Sequence, residues 1–334
     1  MNIKKFSRIL ALVVAASLLP AVAHAGTLGT DIIGLFPKDV GEFAYADLKK
    51  ARQFPWFAQL KEQMLPSRFR QFEQFLAAAG INPDSQVDEL AWALVPVSVS
   101  QTAGGVAVPT GDQIVGVALG QFSPASAEAY FQKQKLPTSK VRNYTLFAFG
   151  SGAGPNDLFF FFIDSNTAAF GHRALLEKLI DVRFGVEDGL LRNDKLFPLI
   201  NETNGTGTVW AVLNPSYTRL AMQQLMPGID QFTQAAQLAG KIHSLTISVE
   251  AASSIDARFQ AVCSSPDDAN TFAALLQAGL LYRRYQETQV NPDLAQLLDS
   301  ARVTPRGDRL DIRFALTNEQ MADLIRRNTF TFRM

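Results

Sequence analysis

From Ile255 onward, Ala257, Phe259, Ala261 and Cys263 fall on one side of an extended chain, and Asp256, Arg258 and Gln260 on the other. That period of two predicts a strand with one buried face. Leu310, Ile312 and Phe314 alternate with Asp311 and Arg313 in the same way, and Arg306-Gly307-Asp308 between the two runs supplies a turn for the last antiparallel pair. Phe159 to Phe162 breaks the alternation, which predicts a strand covered on both faces. Elsewhere the apolar spacing lengthens to that of a helix. Pro55 and Pro66 divide one such stretch into two short helices, the second placing Phe69, Phe72, Leu76 and Ala79 on one face before Gly80 ends it. Pro215 to Ala239 predicts another, carrying Leu220, Leu225, Ile229 and Phe232, with a kink at Pro227.

Two of these patterns occur twice. A strand from Ile114 to Leu119 runs into Ser123-Pro124, Ala127 and Tyr130; Ile255 to Val262 runs into Ser265-Pro266, Ala269 and Phe272. Each reads as a strand feeding a helix with serine at the N-cap and proline at the first helical position, where its missing N–H costs nothing. The offset is 142 residues, and Leu179-Ile180 and Leu324-Ile325 repeat at an offset of 145. Gly41 to Leu48 and Gly207 to Leu213 each read as an opening strand followed by a helix. The expectation is an α+β fold of two pseudo-repeated units, each a mostly antiparallel sheet with helices on one face. The units span 26–184 and 207–334, joined by a linker at 185–206 whose polar run Asn201 to Gly205 suits a loop. The two sheets either pack side by side or merge. A membrane β-barrel conflicts with the helical stretches at Pro215 to Ala239 and Asp267 to Gln286.

Composition changes this picture at the N-terminus. Lys4, Lys5 and Arg8 precede an apolar run from Ile9 to Leu19, Pro20 and the small-x-small site Ala23-His24-Ala25. That is the pattern of a cleavable signal peptide at 1–25, cut after Ala25, and it predicts a periplasmic or secreted product. The whole chain has 31 basic and 31 acidic residues. Loss of the signal leaves it near −3, against nucleic acid and a strongly anionic membrane surface as partners. After the signal the longest apolar run is Leu158 to Ile163, far short of the ~18 residues a spanning helix needs.

Candidate chemistry is sparse. After the signal only His172 and His243 remain, with the single cysteine Cys263, so an internal disulfide cannot form and a zinc site lacks ligands. Cys263 reads as a small buried residue at a strand end, His172 as a capping or surface residue, and His243 as a surface residue of a strand beginning at Lys241. Gly150 to Pro155 is glycine-rich after a strand from Tyr144 to Phe149. It lacks the Walker lysine and leads into another strand, so a hairpin loop is expected. Gln101 to Gly111 reads as an insertion peculiar to the first unit. Asp88-Glu89, Glu187-Asp188 and Asp267-Asp268 are adjacent carboxylates, which do not face each other across a cleft. Asp267-Asp268 suits the first turn of a helix, and Arg283-Arg284 and Arg326-Arg327 suit helix C-termini. Thr329 to Phe332 reads as an edge strand, and Trp56, Trp92 and Trp210 as core. No catalytic, cofactor-binding or metal residue is assigned, and no cofactor is expected.

Phe36-Pro37-Lys38-Asp39 followed by Tyr45-Ala46-Asp47-Leu48 resembles the opening of a broad group of uncharacterised bacterial exported (periplasmic) proteins with a duplicated α+β unit, a domain of unknown function. Those proteins also carry a small hairpin and helix like the one at Leu158 to Asp181. The second unit here lacks the Pro-x-Asp turn, and the resemblance implies no activity. The expected function is an exported, non-enzymatic binding or interaction protein with a protein partner. The alternative is a periplasmic carrier of an apolar ligand such as a lipid, suggested by 25 phenylalanines against 6 tyrosines.

Overall fold

A computed structural model of the chain describes residues 26–64, 67–101, 107–154, 156–225, 240–289 and 292–327. The signal expected at Met1 to Ala25, Pro227 and the part of the expected 215–239 helix beyond 225, and Thr329 to Phe332 lie outside the described residues.

The strands are β1 (Glu42–Asp47), β2 (Val87–Gln101), β3 (Ala107–Gly120), β4 (Thr138–Val141), β5 (Tyr144–Phe149), β6 (Leu158–Phe162), β7 (Thr167–His172), β8 (Val209–Leu213), β9 (Ile242–Ala251), β10 (Ser254–Cys263), β11 (Arg302–Arg306) and β12 (Arg309–Thr317). The helices are α1 (Thr30–Ile33), α2 (Leu48–Ala51), α3 (Phe57–Met64), α4 (Ser67–Ala78), α5 (Pro83–Gln86), α6 (Pro124–Lys133), α7 (Arg173–Arg183), α8 (Phe197–Thr203), α9 (Pro215–Leu225), α10 (Pro266–Glu287), α11 (Pro292–Ser300) and α12 (Asn318–Arg326).

The fold is α+β, built on one twelve-stranded antiparallel sheet. The two candidate sheets merge through β1 and β8, which pair from Glu42 opposite Leu213 to Ala46 opposite Val209. Outward from that seam the order is β2, β3, β7, β6 on the first side and β9, β10, β12, β11 on the second, with β5 and β4 extending the first side. The paired helix starts differ in detail. Ser265 caps α10 by accepting from the Asp268 N–H, whereas Ser123 occupies the N-cap of α6 without a side-chain cap bond. Gln101 to Gly111 does not stand apart as an insertion: β2 extends to Gln101 and β3 begins at Ala107, so its described residues prolong a hairpin.

The sheet has two faces, and the sides use them differently. On one face of the first side, Phe43, Tyr45, Val115, Val117, Phe159 and Phe161 pack against Leu175, Leu176, Leu179 and Ile180 of α7. On the other face Phe147, Phe160 and Phe162 meet Phe72 of α4 and Phe131 of α6. Helices therefore cover both faces, as the unbroken phenylalanine run of β6 requires. On the second side α8 packs on β8 from one face, its Ile200 in one core with Trp210 and Val212, and beyond β9 the described helices pack on the other face only. There Ala261, Cys263 and Leu310 lie under Ala269, Phe272 and Ala273 of α10, and Ile255 and Leu316 lie under Leu324 and Ile325 of α12. Its opposite face carries Arg258, Gln260, Asp311 and Arg313, as the alternation predicts.

Residues 185–206 depart from a plain loop. Leu190, Leu196 and Ile200 are buried in the first side's core, and Asn201 to Thr203 form the end of α8. The Asn193 side chain accepts from the Leu196 N–H at 2.9 Å and turns the chain into that helix. Apolar residues one helical turn apart outweigh the polar composition around them.

Candidate functional site

An apolar cavity of about 150 Å³ lies between the helices α3, α4 and α5 and the second face of β2, β3, β6 and β7. Its floor is built by strand register. Leu90 stands opposite Ala118 and Ala118 opposite Ala168, so small side chains leave space where Phe160, Phe162 and Phe170 stand beside them. Gly116 makes this possible, because a Cβ there would sit 2.2 Å from the Phe170 ring. The roof comes from the period of α4, whose Phe69, Phe72 and Leu76 point down into the cavity with Phe57 of α3 and Ile81. An engineered apolar cavity of this size stays dry and takes up benzene.

The remaining lining residues are charged and already paired. Lys61 Nζ lies 3.1 Å from Glu73 and 2.5 Å from Asp84, tying α3 to α4 and α5. Burial pulls the Lys61 ammonium down in pKa, but the hydrogen bonds and charges of Asp84 and Glu73 outweigh it and raise it. At Glu73 burial prevails over Lys61 and lifts the carboxyl above its ordinary range. Arg52 donates to the Val87 carbonyl at 2.7 Å and reaches Asp88 at 3.3 Å. Neither cation is free to hold an anionic head group, so the cavity suits an uncharged apolar group.

A second polar cluster marks the seam. Tyr217 of α9 donates to Asp112 at 2.5 Å, with its ring against Gly41, where a Cβ would lie 1.9 Å away. Nearby, burial and then the charge of Asp112 push the Glu42 carboxyl up to about 7, against a hydrogen bond from Trp92. Burial and the Asp112 carboxylate also raise the Tyr217 phenol.

No family model matches the chain, and no curated protein matches it. Among solved structures it is similar to TP0453. Crystal form I of that protein superposes with a TM-score of 0.49 at 10% identity, covering 91% of this chain and 99% of that one. Crystal form IV gives 0.48 at 11% identity, covering 90% and 97%.

Of the residues weighed from sequence, His243 and Cys263 lie at the paired ends of β9 and β10, with His172 on the other side of the sheet. His172 stands at the N-cap of α7 but makes no side-chain cap bond; its Nδ1 accepts from the Ile114 N–H at 3.0 Å. His243 is exposed, with Nε2 3.1 Å from Ser264 Oγ, a serine–histidine contact that the spacing of 21 residues hid. Ser264 also donates to the Lys241 carbonyl at 3.0 Å, which competes for its proton. Cys263 is buried at the end of β10, and burial, then Asp268 and Asp308, push its thiol up to about 11. In the Gly150–Gly154 turn, Ser151 donates to Asp157 at 2.8 Å and the Gly154 N–H to the same carboxylate at 2.9 Å. The loop thus encloses the chain's own anion. Asp88 and Glu89 point to opposite faces of β2, toward Arg52 and Tyr45. Asp268 binds Lys241 at 2.5 Å, Asp188 lies 3.6 Å from Lys38, and Arg284 pairs with Asp299. Trp210 is fully buried, Trp56 is buried and donates to Asn318 at 2.9 Å, and Trp92 is half-buried at the seam.

Proposed function

We propose that this chain is an exported, non-catalytic binding protein whose ligand is an uncharged apolar group seated in the cavity under α3 and α4. The single observation that carries this reading is the void itself, lined by phenylalanine and leucine with every nearby cation paired. Its volume is below the ~300 Å³ of ordinary small-molecule pockets, so it holds a ring or the end of a chain, not a whole lipid. Export rests on the signal pattern at Met1 to Ala25, and the absence of catalysis on the burial of Cys263, the engagement of Ser264 beside His243 by the Lys241 carbonyl, and the distance in the sheet of His172 from both. We take the two sides of the sheet to be copies of one unit, a view supported by their matching strand order.

Native mass spectrometry of the protein purified without detergent tests the reading. A small apolar adduct is expected, absent from Ala118→Leu, whose added carbons occupy the void. A clean apo mass that stays unchanged on exposure to hydrocarbons contradicts it.

A second reading, a protein-interaction role, is favoured by α10. Leu275, Leu281, Tyr282 and Tyr285 on that helix are 48–81% exposed, a larger cluster of bare apolar side chains than isolated surface residues provide. A partner protein lost on replacing Leu281 and Tyr285 by serine would support it.

A further inference from the structure

We propose that the solvent face of β10, β12 and β11 docks this protein on an anionic lipid surface through a row of arginines. The register sets Arg258 opposite Arg313, and Arg313 opposite Arg302. Three arginines thus stand side by side on neighbouring strands, about 4.8 Å apart. Farther along the same face Arg306 stands opposite Arg309. Like charges placed directly opposite each other destabilise a sheet, so the row persists at a cost that a layer of anions would offset.

The acids of this face do not neutralise it. Asp311 is 4% exposed and lies beneath the arginines, held by Arg258 at 2.7 Å. Glu202 of α8 holds Arg309 at 2.6 Å, and Asp256, two residues from Arg258 along β10, stands opposite Ala315 and Glu250 and not opposite an arginine. Arg306 and Arg313 are exposed and make no salt bridge among the described residues. Charge on the outermost strand also guards against edge pairing. That accounts for β11 but not for Arg313, whose strand has neighbours on both sides.

The shape selects the occupant. A strand face that presents its side chains outward is no concave pocket of the kind that encloses a small anion. The face positions Arg258, Gln260, Asp311, Arg313 and Thr304 include no aromatic ring on which a base could stack. With the chain near −3 once residues 1–25 are removed, the positive field is local to this face. Phosphate head groups in a plane meet guanidinium forks directly.

Co-sedimentation of the full chain with vesicles tests this, using phosphatidylcholine alone and phosphatidylcholine mixed with phosphatidylglycerol. Binding is expected only to the mixed vesicles, and it should vanish at about 1 M salt, where the screening length is about 3 Å. Replacing Arg302 and Arg313 together by glutamine should weaken it by about twenty-five-fold, from about five-fold per arginine. Replacing both by lysine should retain it, separating charge from folding. Ala118→Leu should leave it unchanged, so this proposal and the cavity reading fail separately. Equal binding to both vesicles, an undiminished glutamine variant, or tighter binding to an oligonucleotide than to the mixed vesicles would overturn it.

Discussion

On the first side of the sheet Phe160 faces α4 and α6 while its neighbours Phe159 and Phe161 face α7 across the opposite surface; on the second side Phe259 faces α10 and its neighbours Arg258 and Gln260 face water. Five strands follow the same order outward from the seam on each side, with β5 and β4 added on the first, so that shared order does not decide how many layers form. The side chains at alternate positions do. Two apolar faces demand helices on both, and filling two interfaces from one run of large rings leaves a void where alanines meet them. The outer strands β10, β12 and β11, apolar on one face, instead leave a polar surface free for other use.

The largest effect should come from breaking the two-faced core. Phe160 meets the rings of Phe72, Phe131 and Phe147 at centroid distances of 5.5, 4.9 and 5.9 Å. Phe160→Ala should cost about 3–5 kcal/mol by urea unfolding. Half-buried Phe259 should cost about half as much when truncated, and equal losses would erase the distinction between the sides.

The seam gives the next effect, through pH. Glu42 has a folded pKa raised to about 7 from 4.5, so the native state binds its proton more tightly than the unfolded chain does. Its contribution is fully present below about pH 4.5 and is lost as pH rises through about 7. Glu42→Gln should flatten stability across that window and raise it at pH 8 by about 2–3 kcal/mol. A parent whose stability rises from pH 5 to 8 more steeply than the variant's would contradict the assignment.

On the polar face, Asp311→Asn removes the buried charge that holds Arg258 and Gln260. A loss of about 1–3 kcal/mol is expected, with the reverse of that sign if arginine repulsion were relieved by Asp311 only weakly. Smallest is the cavity. Ala118→Leu should stabilise by about 0.5–2 kcal/mol if the space is void, and destabilise by about 1–3 kcal/mol if the site is already packed.

Much of the second side was legible in the sequence, because period-two alternation at 255–263 and 310–314 survives wherever one face meets water. The same held for helix starts marked by serine and proline at 265–266 and 123–124. The segment 185–206 was misleading, since its buried apolar side chains Leu190, Leu196 and Ile200 are outnumbered by polar neighbours. Neither site could be seen. The cavity is assembled from Phe72, Phe122, Phe160 and Phe170 on four separate segments, and the arginine row needs the register of β10 against β12, strands far apart in sequence, as well as that of the β11–β12 hairpin. Local pattern encodes which face a residue takes, not which residue of another strand stands beside it.

The central claim is tested most directly by thermal unfolding of the wild type and Ala118→Leu in rising concentrations of n-butylbenzene. The account predicts a melting temperature that climbs with ligand concentration in the wild type and stays fixed in the variant. A wild type that does not respond, or a variant that climbs equally, would contradict it.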